Sequence, residues 1–220
     1  MPPLINLLDL KQVRLSAPFT NKNGSKSTFV NYETDRGKLS FCMHPDRVPF
    51  GPNKTDPSGQ PVVNRFNMAV SVEHPDNLAG LKALDSAIVD LFYKNAAEFW
   101  PKRNKRKKLT REDVLAMYRP IVVPSSDPSL YSPLARTKLD DDPERPAKRT
   151  RVYLVSTGKN GQSVYQPNGS INDITRNSEV ILVCAVTCAW FLGGNIQFGV
   201  TLKVESVLVY PSKVDGQEFP

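Results

Sequence analysis

Two long runs of β-forming residues near the end of the chain, separated by a Gly-Gly-Asn tripeptide at 193–195, constrain the fold most strongly. Residues 180–192 are apolar at nearly every position, whereas residues 196–210 begin with alternating apolar and polar side chains. This arrangement predicts a long β-hairpin whose first strand lies in the middle of a sheet covered on both faces. A membrane helix is disfavoured, because the first run is shorter than the roughly 20 apolar residues that a bilayer requires.

The strand pattern of the first third of the chain gives way to helical spacing at Pro75. Before this residue, apolar and polar side chains alternate as in strands, for example over 62–73. After it, leucines and phenylalanines recur at helical spacing as far as Pro101, which predicts one helix of five to six turns. Thr110 then provides an N-cap for a second, short helix.

We therefore predict an α+β fold in which helices interrupt a mostly antiparallel sheet. A single domain is expected to span 1–220, with a helical and basic insertion at about 76–119. The segment at about 120–149 contains six prolines and is predicted to be a long surface loop. Further strands follow this loop and end in the long hairpin.

Motifs that indicate an enzyme are absent from the sequence. It contains no phosphate-binding Gly-x-x-x-x-Gly-Lys, no Gly-x-Gly-x-x-Gly and no Gly-x-Ser-x-Gly. Only two histidines, His44 and His74, are available for a catalytic triad or a metal centre. We therefore predict a protein that is not an enzyme and that uses no cofactor.

One zinc site is conceivable from the spacing of cysteine and histidine. Cys42 and His44 would share one strand face, as would Cys184 and Cys188. The second pair lies in the most apolar strand, where a free cysteine behaves as a small hydrophobic residue, and Cys-x-x-Cys spacing is missing. We predict no metal site.

Charge and cysteine content favour an intracellular protein with a polyanionic partner. The three cysteines provide no disulfide framework, and the first residues do not resemble a signal peptide. The formal net charge is +7, and residues 101–119 hold eight basic side chains against two acidic ones. Such a concentration of positive charge indicates contact with a polyanion or a nuclear import signal.

Basic and aromatic residues on predicted polar strand faces and turns indicate a binding site for single-stranded nucleic acid, because cations neutralise phosphates and bases stack on flat rings. The candidates on strands and turns are Tyr32, Arg36, Lys38, Arg65, Arg149, Arg151, Tyr153 and Tyr165. The candidates in the basic run are Lys102, Arg103, Lys105, Arg106, Lys107 and Lys108, for which a solvated linker or an import signal is an equal alternative. Trp190 is assigned to the core.

The order of elements resembles that of the single-stranded DNA-binding proteins of nucleocytoplasmic large DNA viruses, such as African swine fever virus. The resemblance rests on the Leu-Ser-Phe segment at 39–41, the basic helical insertion at 76–119, and the strand–turn–strand unit at 190–210. It implies an OB-fold-like, partly open β-barrel, with the two-helix insertion packed at one side. It does not extend to an acidic recruiting tail, because the final residues 215–220 carry only two acids.

The resemblance also implies sequence-independent binding of single-stranded DNA in viral DNA replication, recombination or repair. It places the protein in the host nucleus or at a viral replication site, with replication proteins as further partners, RNA as an alternative to DNA and no membrane association. Two other interpretations remain: a β-rich virion structural protein that contacts packaged nucleic acid, and an adaptor whose loop at 120–146 binds partners.

Overall fold

The computed structural model describes residues 2–22, 24–34, 37–55, 60–61, 63–157, 160, 162–192 and 197–210. Its strands are β1 (Val13–Leu15), β2 (Phe19–Thr20), β3 (Lys26–Tyr32), β4 (Leu39–Cys42), β5 (Asp46–Arg47), β6 (Arg65–Ser71), β7 (Tyr118–Arg119), β8 (Val122–Val123), β9 (Leu134–Asp140), β10 (Arg151–Thr157), β11 (Ser163–Gly169), β12 (Glu179–Leu192) and β13 (Gln197–Tyr210). Its α-helices are α1 (Pro75–Lys94), α2 (Ala96–Phe99), α3 (Pro101–Arg106) and α4 (Arg111–Met117). None of these helices combines the length and the apolar character needed to cross a membrane.

The hairpin of β12 and β13 forms the centre of the sheet, as the sequence predicts. Its antiparallel register runs from Glu179 opposite Tyr210 to Leu192 opposite Gln197. The second edge of β12 pairs with β3, β4 and β5, and the second edge of β13 pairs with β7, β9 and β10. The predicted Gly-Gly-Asn turn lies outside the described residues.

The predicted combination of a dominant sheet with helices is confirmed. β13 runs parallel to β7, β9 and β10, whereas the other strand pairs of the described residues are antiparallel. The sheet is therefore mixed. Within the described part of the chain, its strand pairs do not close into a barrel.

The predicted surface loop over 120–149 is wrong in its middle, because β9 lies there. This strand pairs with β6 along its whole length, from Leu134 opposite Ser71 to Asp140 opposite Arg65. The alternate residues Ala135, Thr137 and Leu139 are buried, and Oγ1 of Thr137 donates to the carbonyl oxygen of Met68 at 3.0 Å. Alanine and threonine at core positions hide the apolar alternation that identifies a strand in the sequence.

The insertion contains four helices instead of the predicted two. α1 begins at Pro75 as expected but ends at Lys94, where the side-chain amide of Asn95 donates to the carbonyl oxygen of Leu91 at 2.8 Å. Two shorter helices follow, and the basic run begins within the second of them, α3, and continues past its end. The predicted cap of the last helix is confirmed, because the hydroxyl of Thr110 accepts from the backbone N–H of Asp113.

Aromatic side chains join the helices to the inner face of the central hairpin. The ring of Phe92 on α1 lies 5.8 Å from that of Phe191 on β12 and 4.5 Å from that of Phe198 on β13, between ring centroids. Trp100, which follows α2, lies 5.3 Å from Phe198. Tilted and edge-to-face pairs at these separations are favourable. The sheet thus has an inner face covered by helices and an outer face turned away from them.

A buried carboxylate fixes the segment after α4 to α1. Asp85 of α1 accepts hydrogen bonds from the hydroxyl of Tyr118 at 2.6 Å and from the backbone N–H groups of Ile121 and Val122 at 3.0 and 3.4 Å. Burial raises the pKa of Asp85 above its usual value, although these hydrogen bonds act in the opposite direction. These three hydrogen bonds, called here the Asp85 brace, fix the position of β7 beside β13 and with it the position of Arg119.

Candidate nucleic-acid interface

The outer face of the sheet can be followed from the burial pattern of β13. Phe198 and Leu202 point towards the helices and are 0% and 2% exposed, so the residues that alternate with this face, Gly199, Thr201 and Lys203, face outwards. In-register residues of neighbouring strands lie on the same face of a sheet. The register therefore extends this face to the strands on either side.

Four strands bring an aromatic ring, an amide and two cations to this face. Trp190 of β12 is opposite Gly199, and Gly199 is opposite Arg119 of β7. Further along β13, Lys138 of β9 lies beside the strand and is opposite Asn67 of β6. Lys138 and Asn67 join Trp190 and Arg119 on this face because β9, which the sequence did not reveal, enters the sheet here.

Together they line a surface groove of about 470 Å³. Its polar and aromatic lining comprises Asn67, Arg119, Arg136, Thr137, Lys138, Trp190, Gln197 and Thr201. The groove thus combines three cations with a ring, which is the combination that single-stranded nucleic acid requires.

The cations of the groove keep their positive charge available to a ligand. Arg119 donates from Nε and Nη2 to the neutral Oε1 of Gln197, at 3.2 and 3.1 Å. Arg136 and Lys138 are exposed, and no carboxylate in the described part of the chain forms an ion pair with either. Lys203 differs, because its Nζ lies 3.4 Å from a carboxylate oxygen of Asp140. The groove therefore carries an uncompensated positive charge.

Trp190 lies on the outer face, and its assignment to the core is wrong. A bulge between Val186 and Ala189 adds one residue to β12 and changes which side chains face outwards after it. The indole packs against Gly199, where a Cβ atom would lie 2.6 Å from Cζ2 of the ring and 3.1 Å from the carbonyl oxygen of Arg119. Glycine at this position lets the ring lie close across the neighbouring strand.

A second aromatic platform lies on the same face. The rings of Phe19 and Phe29 are stacked, with centroids 4.7 Å apart and an interplanar angle of 28°, and Phe29 is 51% exposed. Phe19 is opposite Ser27, and Ser27 is opposite Trp190, so the pair shares the face of the groove. The exposed ring of Phe29, supported by the half-buried ring of Phe19, can accept an unstacked base.

Three residues predicted from the sequence have defined neighbours near the groove. Lys38 is exposed and pairs with the carboxylate of Glu205, which compensates its charge. Arg65 lies on β6 opposite Asp140, on the same face as the groove. Tyr32 is half-buried and packs against the core, so little of its ring is open to a base.

The predicted residues of the β10–β11 region lie beyond the end of the groove. Arg149 donates from Nε to a carboxylate oxygen of Asp141 at 2.9 Å. Arg151 and Tyr153 lie on the solvent-facing side of β10, and Tyr165 on β11 is 55% exposed. None of these four predicted residues lines the groove.

The basic run is exposed but separate from the groove lining. Lys102, Arg103, Lys105, Arg106, Lys107 and Lys108 lie on α3 and just after it, and all six are exposed. None of them lines the groove, and Nζ of Lys107 lies 3.6 Å from the carboxylate of Asp113. The predicted candidate Arg36 lies outside the described residues.

One group of described residues has the composition of a metal site. His44, His74 and Asp76 offer ligand atoms within 4.8 Å of one another. The imidazole rings are stacked with centroids 4.0 Å apart, and Nδ1 of His74 accepts from the backbone N–H of Asp76 at 3.2 Å. Parallel rings do not direct their nitrogen lone pairs at one point, so this arrangement suits the N-cap of α1 better than an ion.

Sequence reasoning missed Arg119, Arg136, Lys138 and Trp190 as members of one site. The alternation of the charged residues Arg136, Lys138 and Asp140 with uncharged ones is the signal that could have indicated β9, although alanine and threonine at the alternate positions weaken it. No comparable signal exists for Trp190, because its direction depends on the bulge.

The chain is similar to solved structures of single-stranded DNA-binding proteins from bacteriophages. The protein gp2.5 of bacteriophage T7 has 11% identity and a TM-score of 0.46, over 83% of this chain and 92% of its own. The protein from bacteriophage Enc34 has 16% identity and a TM-score of 0.45, over 93% and 94%. The complex of the Enc34 protein with single-stranded DNA has 13% identity and a TM-score of 0.45, over 94% and 99%.

The resemblance of the sequence to proteins of nucleocytoplasmic large DNA viruses stays a prediction. No protein-family model and no curated protein matches the chain.

Proposed function

We propose that this chain is a sequence-independent single-stranded DNA-binding protein. The observation that carries the proposal is the groove on the outer sheet face, where Arg119, Arg136 and Lys138 meet Trp190 without a compensating carboxylate among the described residues. The cations bind successive phosphates, and the indole stacks on a base.

The same geometry predicts a preference for single strands over duplexes. Trp190 and Phe29 offer ring faces, and only unstacked bases have a free face to place against them. Ring stacking tolerates every base, so the interface has little sequence preference. Phosphate contacts add affinity that falls with rising salt concentration.

The proposal includes several finer points. The sheet is an OB-like, partly open barrel, which is supported by the bridge between Pro52 and Met68 and by the N–H groups of Glu73 and His74 that donate to Asp46. These contacts bring the segment around β5 against β6.

The proposed role is in viral DNA replication, recombination or repair, without catalysis. The proposed location is inside the host cell, at the nucleus or a viral replication site, with replication proteins as partners.

Fluorescence anisotropy with a labelled oligo-dT and a duplex of equal length tests the function. The proposal predicts tight binding of the single strand, much weaker binding of the duplex, and affinity that falls steeply as salt rises. Equal and weak binding of both forms would overturn it and would favour a virion structural protein, whose assembly without DNA is then the next measurement.

A further inference from the structure

A second cavity lies on the sheet edge beyond the first groove and is lined by exposed apolar side chains. Its volume is about 700 Å³, within the range of roughly 300–1,000 Å³ that is usual for ligand sites. Phe50, Leu130 and Tyr131 line it and are 69%, 71% and 66% exposed. Large apolar residues gathered at one exposed site usually mark an interaction surface.

This cavity continues the first groove along the same two strands. Ser71 of β6 and Leu134 of β9 are opposite each other and line the cavity. Two residues away on the same face, Ala69 is opposite Arg136, and Arg136 lines the first groove. A spacing of two residues along a strand is about 6.6 Å, so the groove and the cavity adjoin.

The charge of the cavity suits a polyanion. Arg47 and Glu73 form a two-point ion pair, with Nη2 and Nε each within 3.1 Å of Oε1, so their charges cancel. Arg176 also lines the cavity, and no acidic side chain in the described ranges forms an ion pair with it. One net positive charge therefore remains beside Phe50 and Tyr131.

We propose that this cavity is a second subsite for single-stranded DNA, occupied by the part of the strand that leaves the first groove. Bases stack on Phe50 and Tyr131, and Arg176 contacts a phosphate. The inference rests on the proposed function. Continuity with the groove, flat exposed rings and an unpaired cation favour the DNA strand over a protein partner as the occupant.

The double variant Phe50→Ala, Tyr131→Ala tests the subsite by anisotropy with a short and a long labelled oligo-dT, for instance of about 5 and about 16 nucleotides, the range of single OB-fold sites. Both side chains are exposed, so their removal leaves the fold intact. The matched control is Tyr93→Ala, which removes an exposed tyrosine of α1 that lines neither site. We expect the double variant to lose roughly tenfold in affinity per ring for the long oligonucleotide and nothing for the short one.

Unchanged binding of the long oligonucleotide by the double variant would overturn the subsite while leaving the proposed function intact. If the double variant bound the long oligonucleotide normally but no longer bound a replication protein, the cavity would be a site for a protein partner. That outcome would also overturn the proposal. Failure of the unmodified protein to bind either oligonucleotide would instead contradict the proposed function itself.

Discussion

At the scale of single residues, the interface depends on the contact between Gly199 and Trp190. In Gly199→Ala, the new methyl group would overlap Cζ2 of the indole, so the ring must leave its position across β13. We expect this variant to bind single-stranded DNA at least about fivefold more weakly, because one stacking contact contributes roughly 1–3 kcal/mol. Anisotropy measures the affinity, and tryptophan emission, compared with that of Trp190→Ala, which retains only Trp100, reports the displaced ring.

The matched variant Trp190→Ala removes the ring without crowding the strand. It should lose a similar amount of affinity while keeping the fold of the unmodified protein. If Gly199→Ala bound DNA normally although its tryptophan emission had changed, Trp190 would have no part in the interface.

Among the described residues, none of those predicted from the sequence lines the groove. Arg65 shares the face of the groove, because it lies on β6, whose alternation is clear in the sequence. Arg136 and Lys138 were missed because their buried neighbours on β9 include alanine and threonine, which give no apolar signal.

At the scale of elements, Asp85 holds the segment that carries Arg119. Asp85→Ala would leave the hydroxyl of Tyr118 and two backbone N–H groups buried without an acceptor. Each such group costs roughly 1–3 kcal/mol, so we expect a loss of at least about 2 kcal/mol in the free energy of unfolding, measured with urea. The control Asp90→Asn breaks a partly exposed pair with Arg111 and should cost less than about 1 kcal/mol. Equal losses of unfolding free energy in Asp85→Ala and Asp90→Asn would contradict this role of Asp85.

The raised pKa of Asp85 gives the brace a pH dependence. Between the usual aspartate pKa of about 3.9 and the raised value, the folded protein holds a proton that the unfolded chain has released. The free energy of unfolding therefore falls as pH rises through this window. Asp85→Asn carries no such proton, so its stability relative to the unmodified protein should improve as pH rises from about 4. A difference that is constant with pH would show that burial does not govern this carboxyl group.

Elements were predictable from the sequence where their partners are near in the chain. The β12–β13 hairpin and the Thr110 cap depend on neighbouring residues and were both found. β9 depends on β6, and the hydrogen bond from Thr137 to Met68 spans 69 residues. The end of α1 at Lys94 was missed because Asn95, rather than a proline, ends the helix.

At the scale of the whole molecule, the groove and the basic run should act at different stages of binding. The side chains at 105–108 are exposed and line neither the groove nor the second cavity, so we expect them to attract a polyanion without holding it. Replacing all four by glutamine should slow association several-fold at low salt and leave dissociation unchanged, as measured by stopped-flow fluorescence. A variant that dissociates much faster would place the run in direct contact with the bound strand.

The salt dependence of binding tests the central claim most directly, because it counts the phosphates that the groove neutralises. The dissociation constant for oligo-dT is measured over a salt series for the unmodified protein and for Arg119→Ala, Arg136→Ala, Lys138→Ala. Each lost phosphate contact lowers the slope of log K against log salt by about 0.7 for a single strand. The groove therefore predicts a slope smaller by about 2 in the triple variant, with much weaker binding. An unchanged slope would show that the DNA lies elsewhere on the protein and would contradict the account.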